Sequence, residues 1–415
     1  MIVWLVPLRY EIPSRRMRTA MTAWPMLRDA LILLATAPFF FYAVAIVAAG
    51  KFFRGPSLRP GEVPFDRDPY TPSVSILKPI RGLDRETYEN YASFCRQDYP
   101  DYEILFCVTD ESEPAIPTIE KVMRDFPECP IRLLMGAEPV GVSDKVNKLA
   151  RMAREARHDV LIVTDSDVRV DPGFLRATVG PFRDRKVGGV TCLYRGLTDG
   201  SFAADLEALG NTADFAPGVL VAWMGGGRRL DFMLGAVMAT TKERLEEIGG
   251  FESLADYLCD DYELGNRIAA NGYRIELSPF PVAIDYPWQT LGEAFRHQLR
   301  WNLAIRYSRP WGHLGLIFTQ GLAWAIAGML LADSWQGALA FTAAYSLLRV
   351  EVALGVGARG MRDDLVRRKQ WLLPVRDAFA FVVWIASFVP QRIHWRGREF
   401  RVRNKRLVPV SSDRR

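Results

Sequence analysis

Three sets of carboxylates in this 415-residue chain follow apolar runs in a way that could let them do chemistry together. Asp110 ends EILFCVTD, Asp165 and Asp167 flank Ser166 in VLIVTDSD, and Asp260 and Asp261 stand side by side in YLCDDYEL. Carboxylates one residue apart repel each other, and at the end of an apolar strand they are also partly desolvated. Such a pair persists if it is solvated or if positive charge sits between the two groups. A divalent cation, Mn2+ or Mg2+, held together with a nucleotide diphosphate meets that need, because one or two carboxylates plus phosphate oxygens suit either metal. Asp is also common in turns and at helix starts, so any one of these acids alone reads equally well as a cap. Their number and order favour chemistry.

Further along, Arg300 and Trp301 close the stretch RHQLRW ahead of an apolar run. On an amphipathic helix there, Arg300 could meet phosphate and Trp301 could stack on a sugar or a lipid headgroup. Taken alone, the stretch reads better as a snorkelling helix at a membrane surface. His158, His313 and His394 read as turn, boundary and tail residues.

The elements that must position these residues are legible as a pattern. From Ser73 to Ser308, short apolar strands such as SVSILKPI, YEILFCVTD, IRLLM and DVLIVTDSD alternate with amphipathic helical stretches. That alternation predicts parallel βαβ units in an open α/β sheet, with ligands beyond the carboxyl ends of the strands. The acids of TDSD fall at such an end. There is no Walker A pattern, and the one GxGxxG string, Gly355 to Gly360, follows no plausible strand and reads as accidental.

Apolar runs flank this body. Residues 1–29 form an arginine-bearing leader, and Ala30–Gly50, closed by Lys51 and Arg54, is long enough to cross a bilayer. It is too long and too late in the chain for a signal peptide. Residues 51–72 read as a Pro- and Gly-rich linker, 73–308 as the catalytic body, 309–390 as a C-terminal membrane region and 391–415 as a basic cytoplasmic tail.

Three apolar runs lie in the C-terminal region. Leu314–Leu331 is free of charge, whereas Gly337–Gly357 contains Arg349 and Glu351, and Trp371–Pro390 contains Arg376 and Asp377. Charges at bilayer depth must pair inside a bundle or lie shallowly. The loop Ala358–Gln370 and the tail are both rich in Arg and Lys, which puts both on the cytoplasmic side. Leu314–Gly357 is therefore expected to form a hairpin, and Trp371–Pro390 a re-entrant or interfacial segment. The arginines of the leader break the same rule, which favours a translation start at Met17, Met21 or Met26.

Composition fits this division. Hydrophobic residues make up 49% of the chain and mean hydropathy is close to zero, as expected of a soluble body with a few membrane segments. The net charge of +5 lies beside the apolar runs, which argues for a membrane surface and against nucleic acid. Five scattered cysteines without CxxC indicate neither a disulfide framework nor a zinc site.

Taken in order, the motifs resemble the family 2-like inverting glycosyltransferases of the GT-A fold, whose pattern is D, DxD, D, (Q/R)xxRW. Ceramide glucosyltransferases and their bacterial relatives, including hopanoid-associated enzymes, are the most similar. The resemblance runs through SILKPIRG, FCVTDESEPA, GVSDKVNKL, TDSDVRV, LGAVMATTKERLEEIGGF, YLCDDYELGNRIAANGYR, HQLRW and HWRGREFRVR, most of the chain. It implies a Rossmann-like, mostly parallel sheet between N-terminal and C-terminal membrane helices. It also assigns roles: Asp110 to the donor uridine, Asp165 and Asp167 to the metal and diphosphate, and Lys145 and Asn147 to the donor's surroundings. Asp261, or less directly Asp260, becomes the base, with Arg300 and Trp301 on the diphosphate and the acceptor entrance. His297 stands where Gln or Arg is usual in (Q/R)xxRW.

The expected activity is transfer of a hexose from a UDP-sugar to a lipid hydroxyl, UDP-glucose to ceramide first. A hopanoid lipid with UDP-N-acetylglucosamine is the alternative within the class, and a non-catalytic membrane scaffold the alternative outside it. The expected setting is a bacterial inner membrane, with the catalytic domain facing the cytosol.

Overall fold

The computed structural model describes residues 15–54, 70–389, 393–395 and 398–409. Most of the expected linker, the first part of the leader and the end of the tail lie outside the described residues. Eight strands form one sheet: β1 Val74–Pro79, β2 Tyr102–Val108, β3 Ile131–Met135, β4 Val160–Thr164, β5 Val168–Arg169, β6 Val187–Thr198, β7 Val237–Thr241 and β8 Arg274–Tyr286. Their order is β3-β2-β1-β4-β7-β6-β8-β5.

The half built from βαβ units, β3-β2-β1-β4, is parallel, as the alternation predicts. Beyond it β7 runs antiparallel to both β4 and β6, so the sheet is parallel in larger part and mixed at one side. Register does the positioning. Leu77 lies opposite Val163 and Pro79 opposite Cys107, so the chain leaves β1, β2 and β4 along one edge. Because β7 is antiparallel to β4, with Val237 opposite Thr164, the residues that enter β7 arrive at that same edge.

Among the described residues, two helices are long and apolar enough to cross a membrane, Trp24–Phe53 and Trp335–Gly360. The first starts earlier than the expected Ala30: part of the leader is already helical, from Arg15, with a break at Thr36. The charge-free run does not form one straight helix. Pro310–Thr319 and Gly321–Leu331 meet at a 52° bend. Gln320 leaves helical geometry there, and Trp324 Nε1 donates to the Ile317 carbonyl at 2.8 Å, which satisfies one acceptor freed by the break. Trp371–Pro390 holds the shorter helix Leu373–Ala386.

Arg349, Arg376 and Asp377 are paired inside, whereas Glu351 pairs with Arg359 at an exposed position. Arg349, 3% exposed, binds Asp377 through Nε at 3.0 Å and Nη2 at 2.6 Å, and also pairs with Asp214. Arg376 Nε donates to Asp214 at 2.8 Å, and its Nη2 donates to Gln298 at 3.2 Å. Asp214 belongs to the helical stretch Phe202–Gly225 that follows β6, so these pairs tie the C-terminal helices to the body that carries the acids. The string Gly355–Gly360 is closely packed: a Cβ on Gly357 would meet Val366 at 2.8 Å and Thr212 of the body at 3.3 Å, and one on Gly360 would meet the Phe53 ring at 2.3 Å. Close helix packing accounts for these glycines, in line with the accidental reading.

The basic tail is folded. β9 Ile393–Trp395, β10 Arg398–Arg403 and β11 Arg406–Pro409 form an antiparallel sheet, and β11 is bridged to Tyr257. All five cysteines are free thiols.

Candidate active site

TDSD occupies the turn between β4 and β5. Lys145 reaches it from the first turn of helix Asp144–Glu155, whose start is capped by Ser143 Oγ accepting from Val146 N. The Lys145 ammonium lies 2.6 Å from Asp165 Oδ1 and 4.0 Å from Asp260 Oδ2. Burial alone would lower its pKa, but Asp165 and Asp260 outweigh that and hold it charged. Positive charge between the carboxylates is thus partly supplied by the protein itself.

Asp167 faces inward. Burial raises its carboxyl to about 8, and Asp165 and Asp84 add to the shift. Its Oδ1 is buried without a hydrogen-bond partner, as are Asp84 Oδ2 and Asp260 Oδ2. Below it, Lys78 on β1 donates to Thr164 Oγ1 at 3.0 Å and to the Asp165 carbonyl at 2.8 Å, and lies 4.0 Å above the Phe94 ring. Burial lowers Lys78 to about 7 against the pull of Asp167, Asp165 and Asp84. Among the described residues, no three His, Cys, Asp or Glu side chains converge as a metal cluster. A cation here would draw most of its ligands from elsewhere.

Asp260 and Asp261 open helix Asp260–Ala270, where the helix dipole favours negative charge. The two carboxylates are held differently. Asp261 Oδ1 accepts from Cys259 Sγ at 3.0 Å and from Tyr262 N at 2.8 Å. Its Oδ2 points toward Gly235, where an added Cβ would meet it at 3.2 Å and Asp165 Oδ2 at 3.9 Å. Gly235 thereby lets the TDSD turn and the second acid pair approach each other. Burial and Asp260 raise the Asp261 carboxyl above its ordinary value, which makes it a stronger base.

Four expected residues remain. Arg300 is exposed, and among the described residues it makes no hydrogen bond or ion pair. Trp301 packs edge-on against His297 and Tyr194, with centroids 4.8 and 6.5 Å apart. Asp110 sits exposed at the same sheet edge, with Ser112 N donating to its Oδ1 at 2.9 Å. Asn147 is tied to its own loop. Its Oδ1 accepts from Val140 N and Gly141 N and its Nδ2 donates to the Gly141 carbonyl, all at 3.1 Å, so its amide shapes the loop before the helix. Gly141 in that loop is pressed against Ala255, where a Cβ would come within 2.5 Å.

Sequence reading missed Lys78, Asp84 and Glu207. The first two lie within or just beyond SILKPIRG, a block that carried no assigned role. Glu207 is fully buried, and accepts from His297 Nδ1 at 2.6 Å, Gln289 Nε2 at 2.6 Å and Gln298 Nε2 at 2.9 Å. Burial would raise it, yet these hydrogen bonds hold it below the ordinary glutamate range. It anchors the helix Leu291–Ser308 that presents Arg300 and Trp301, and it explains His297 at the first position of the RW motif. Glu207→Ala leaves one buried donor, Gln298, and two half-buried donors, Gln289 and His297, unpaired. It is expected to cost about 3 kcal/mol of stability, read as a lower unfolding midpoint in detergent, with Glu207→Gln milder.

The sequence profile of glycosyl transferase family 21 matches residues 31–408. The chain belongs to that family. Family 21 membership accompanies similarity to ceramide glucosyltransferase 1 of Caenorhabditis elegans, 29% identical over 237 residues, which are 56% of this chain and 50% of that protein. The ceramide glucosyltransferase of Komagataella phaffii is 36% identical over 115 residues, 27% of this chain and 23% of that one. The chain spans about half the length, or less, of the curated relatives it matches. Among solved structures, a mannosyltransferase from Pyrobaculum calidifontis in complex with GDP-mannose and Mn2+ aligns with TM-score 0.49 and 18% identity, over 88% of this chain and 99% of that one.

Proposed function

We propose that this family 21 protein is a membrane-bound GT-A glycosyltransferase that moves a hexose from a UDP-sugar to a lipid hydroxyl with inversion, glucose to ceramide first. The observation that carries the reading is Asp261: Oδ1 fixed by two donors, Oδ2 turned toward Gly235 and the TDSD turn, basicity raised. An inverting transfer needs one base opposite the leaving group, and this carboxylate is oriented to take the acceptor's proton. Asp261 is assigned that role over Asp260, whose carboxylate faces Lys145.

Lys145 and Arg300 place positive charge where the donor diphosphate would lie, and Trp301 borders the acceptor side. Asp110 is assigned to the uridine end of the donor. Asp167 and Asp165 would hold a divalent cation, Mn2+ or Mg2+; the buried, unpartnered Asp167 Oδ1 fits that use. When bound, the cation would neutralise charge on the departing diphosphate.

A lipid acceptor is supported by how the site meets the apolar helices. Helix Leu291–Ser308 is tied to Leu373–Ala386 through Gln298–Arg376 and through Arg306 donating to the Ser387 carbonyl. The loop at Asp363 and Lys369 docks on the Phe202–Phe215 stretch, through Thr212 and Asp205. Both ends of Leu373–Ala386 thus touch the catalytic body, which supports an interfacial segment. At the far end, Arg28 pairs with Asp333, which supports Trp24–Phe53 and the 310–360 hairpin crossing side by side. The catalytic body then faces the cytosol at a bacterial inner membrane.

The test is UDP release by detergent-purified protein given UDP-glucose or UDP-N-acetylglucosamine with ceramide or a hopanoid tetrol. Release that requires ceramide and UDP-glucose is expected. Release only with the hopanoid pair would reassign the acceptor, and absence of UDP binding would favour a scaffold.

A further inference from the structure

The folded tail touches the site where its geometry is decided. β11 adds to the loop before the acid pair by two backbone hydrogen bonds: Leu407 N donates to the Asp256 carbonyl at 2.8 Å and Leu258 N donates to the Lys405 carbonyl at 3.1 Å. Asn404 and Lys405 make the hairpin turn in left-handed conformation, which delivers the Lys405 carbonyl to the loop. Lys405 Nζ then lies 3.2 Å from Glu263 Oε1 and 5.2 Å from the Tyr262 ring centroid. Tyr262 is the residue whose backbone N–H holds Asp261 Oδ1.

Apolar packing joins the same parts. Phe400 and Leu407 are buried with Leu303 of the Arg300 helix, and Val142, Leu258 and Leu299 pack around them. The loop is gripped from the other side as well: Ser143 N donates to the Ala255 carbonyl at 2.8 Å and Val142 N to Asp256 Oδ1 at 3.1 Å. One small cluster therefore links the Lys145 loop, the Asp260–Asp261 loop and the Arg300 helix, and the tail closes it.

We infer that the C-terminal sheet is a positioning element for catalysis: β11 and Lys405 hold the loop and the first helical turn that aim Asp261, so the chain's last strands set the rate of transfer without touching donor or acceptor. This rests on the transferase reading. The cluster engages the ends of the elements that carry the base and Arg300. The donor's other expected contacts, at Asp110 and Asp165, lie on the sheet edge outside it. Lys145 and Arg300 ride on elements that the cluster also holds, so loosening the tail should weaken donor binding less than it slows transfer, since a displacement of about 1 Å at a reacting group can cost about 100-fold in rate.

The experiment compares full-length wild type with Leu407→Asp, which breaks the cluster, and Lys405→Gly, which keeps the left-handed turn and removes the ammonium. Three quantities are measured: kcat for UDP release, Kd for the UDP-sugar, and the rate at which maleimide modifies Cys259, followed by mass spectrometry. Cys259 is half-buried directly after Leu258 and reports loop opening whether or not the protein turns over. The expected result is kcat lowered about 10- to 100-fold, a clearly smaller loss of donor affinity, and faster Cys259 modification, with Leu407→Asp the stronger variant. Unchanged kcat with unchanged Cys259 reactivity in both variants would overturn the inference. So would donor affinity lost in parallel with kcat, since that marks general unfolding. If wild type itself releases no UDP, the transferase reading fails, while faster Cys259 modification would still show that the tail holds the loop.

Discussion

Asp261→Asn is expected to lower acceptor-dependent UDP release by about 100- to 10,000-fold, the usual contribution of a general base, with UDP-sugar affinity little changed. The substitution keeps size and keeps an oxygen for the Cys259 and Tyr262 donors. It removes the free carboxylate oxygen that faces Gly235. Asp260→Asn should behave differently. Asp260 lies 4.0 Å from Lys145, so its loss changes the charge around the donor and should act on donor affinity more than on kcat. A single-turnover assay with a separate donor-binding titration distinguishes the two. Equal loss of kcat in both variants would mean that the pair acts as one unit and that the assignment to Asp261 is wrong.

Asp167→Asn carries the second large effect. The carboxylate is buried, has an unpartnered oxygen, and stands beside Asp165 and Asp84. If it holds a divalent cation, the amide should cost several kcal/mol of charge stabilisation, about 100-fold or more in rate. Donor binding by wild type should then fall in EDTA and recover with manganese or magnesium. The Asn variant should bind donor weakly, with or without metal. Metal dependence surviving intact in the variant would remove Asp167 from the cation site.

How much of this was readable from sequence depends on the kind of contact. Asp110, Asp165 and Asp167 follow apolar strands, and a parallel sheet brings strand ends together whatever the side chains do, so their edge was legible. Asp261 was found by motif, but its separation from Asp260 comes from contacts to Cys259, Tyr262 and Lys145 that spacing does not encode. Asn147 was placed near the donor by resemblance alone, and spacing gave no sign that its amide closes the backbone of its own loop. Glu207 sits among alanines and leucines in FAADLEALG, 91 positions from Gln298, and only the packing of two helices makes it a hub.

The apolar segments and the tail teach a related point. Composition marked Arg349, Arg376 and Asp377 as groups needing partners, and they are paired. It did not mark Asp214, the shared partner supplied by the catalytic body. Net charge dominated the reading of the tail as a basic cytoplasmic segment. Phe400 and Val402 alternate with arginines in REFRVR, a period-two signal of a half-buried strand that was available and outweighed by the charge.

The central claim, a single base acting opposite the leaving group, is tested most directly by the anomeric configuration of the product. UDP-glucose carries an α-linked sugar, and one displacement assisted by Asp261 predicts a β-linked glycolipid by NMR. An α-linked product would contradict the account, because retention cannot come from one in-line displacement with Asp261 as its only base.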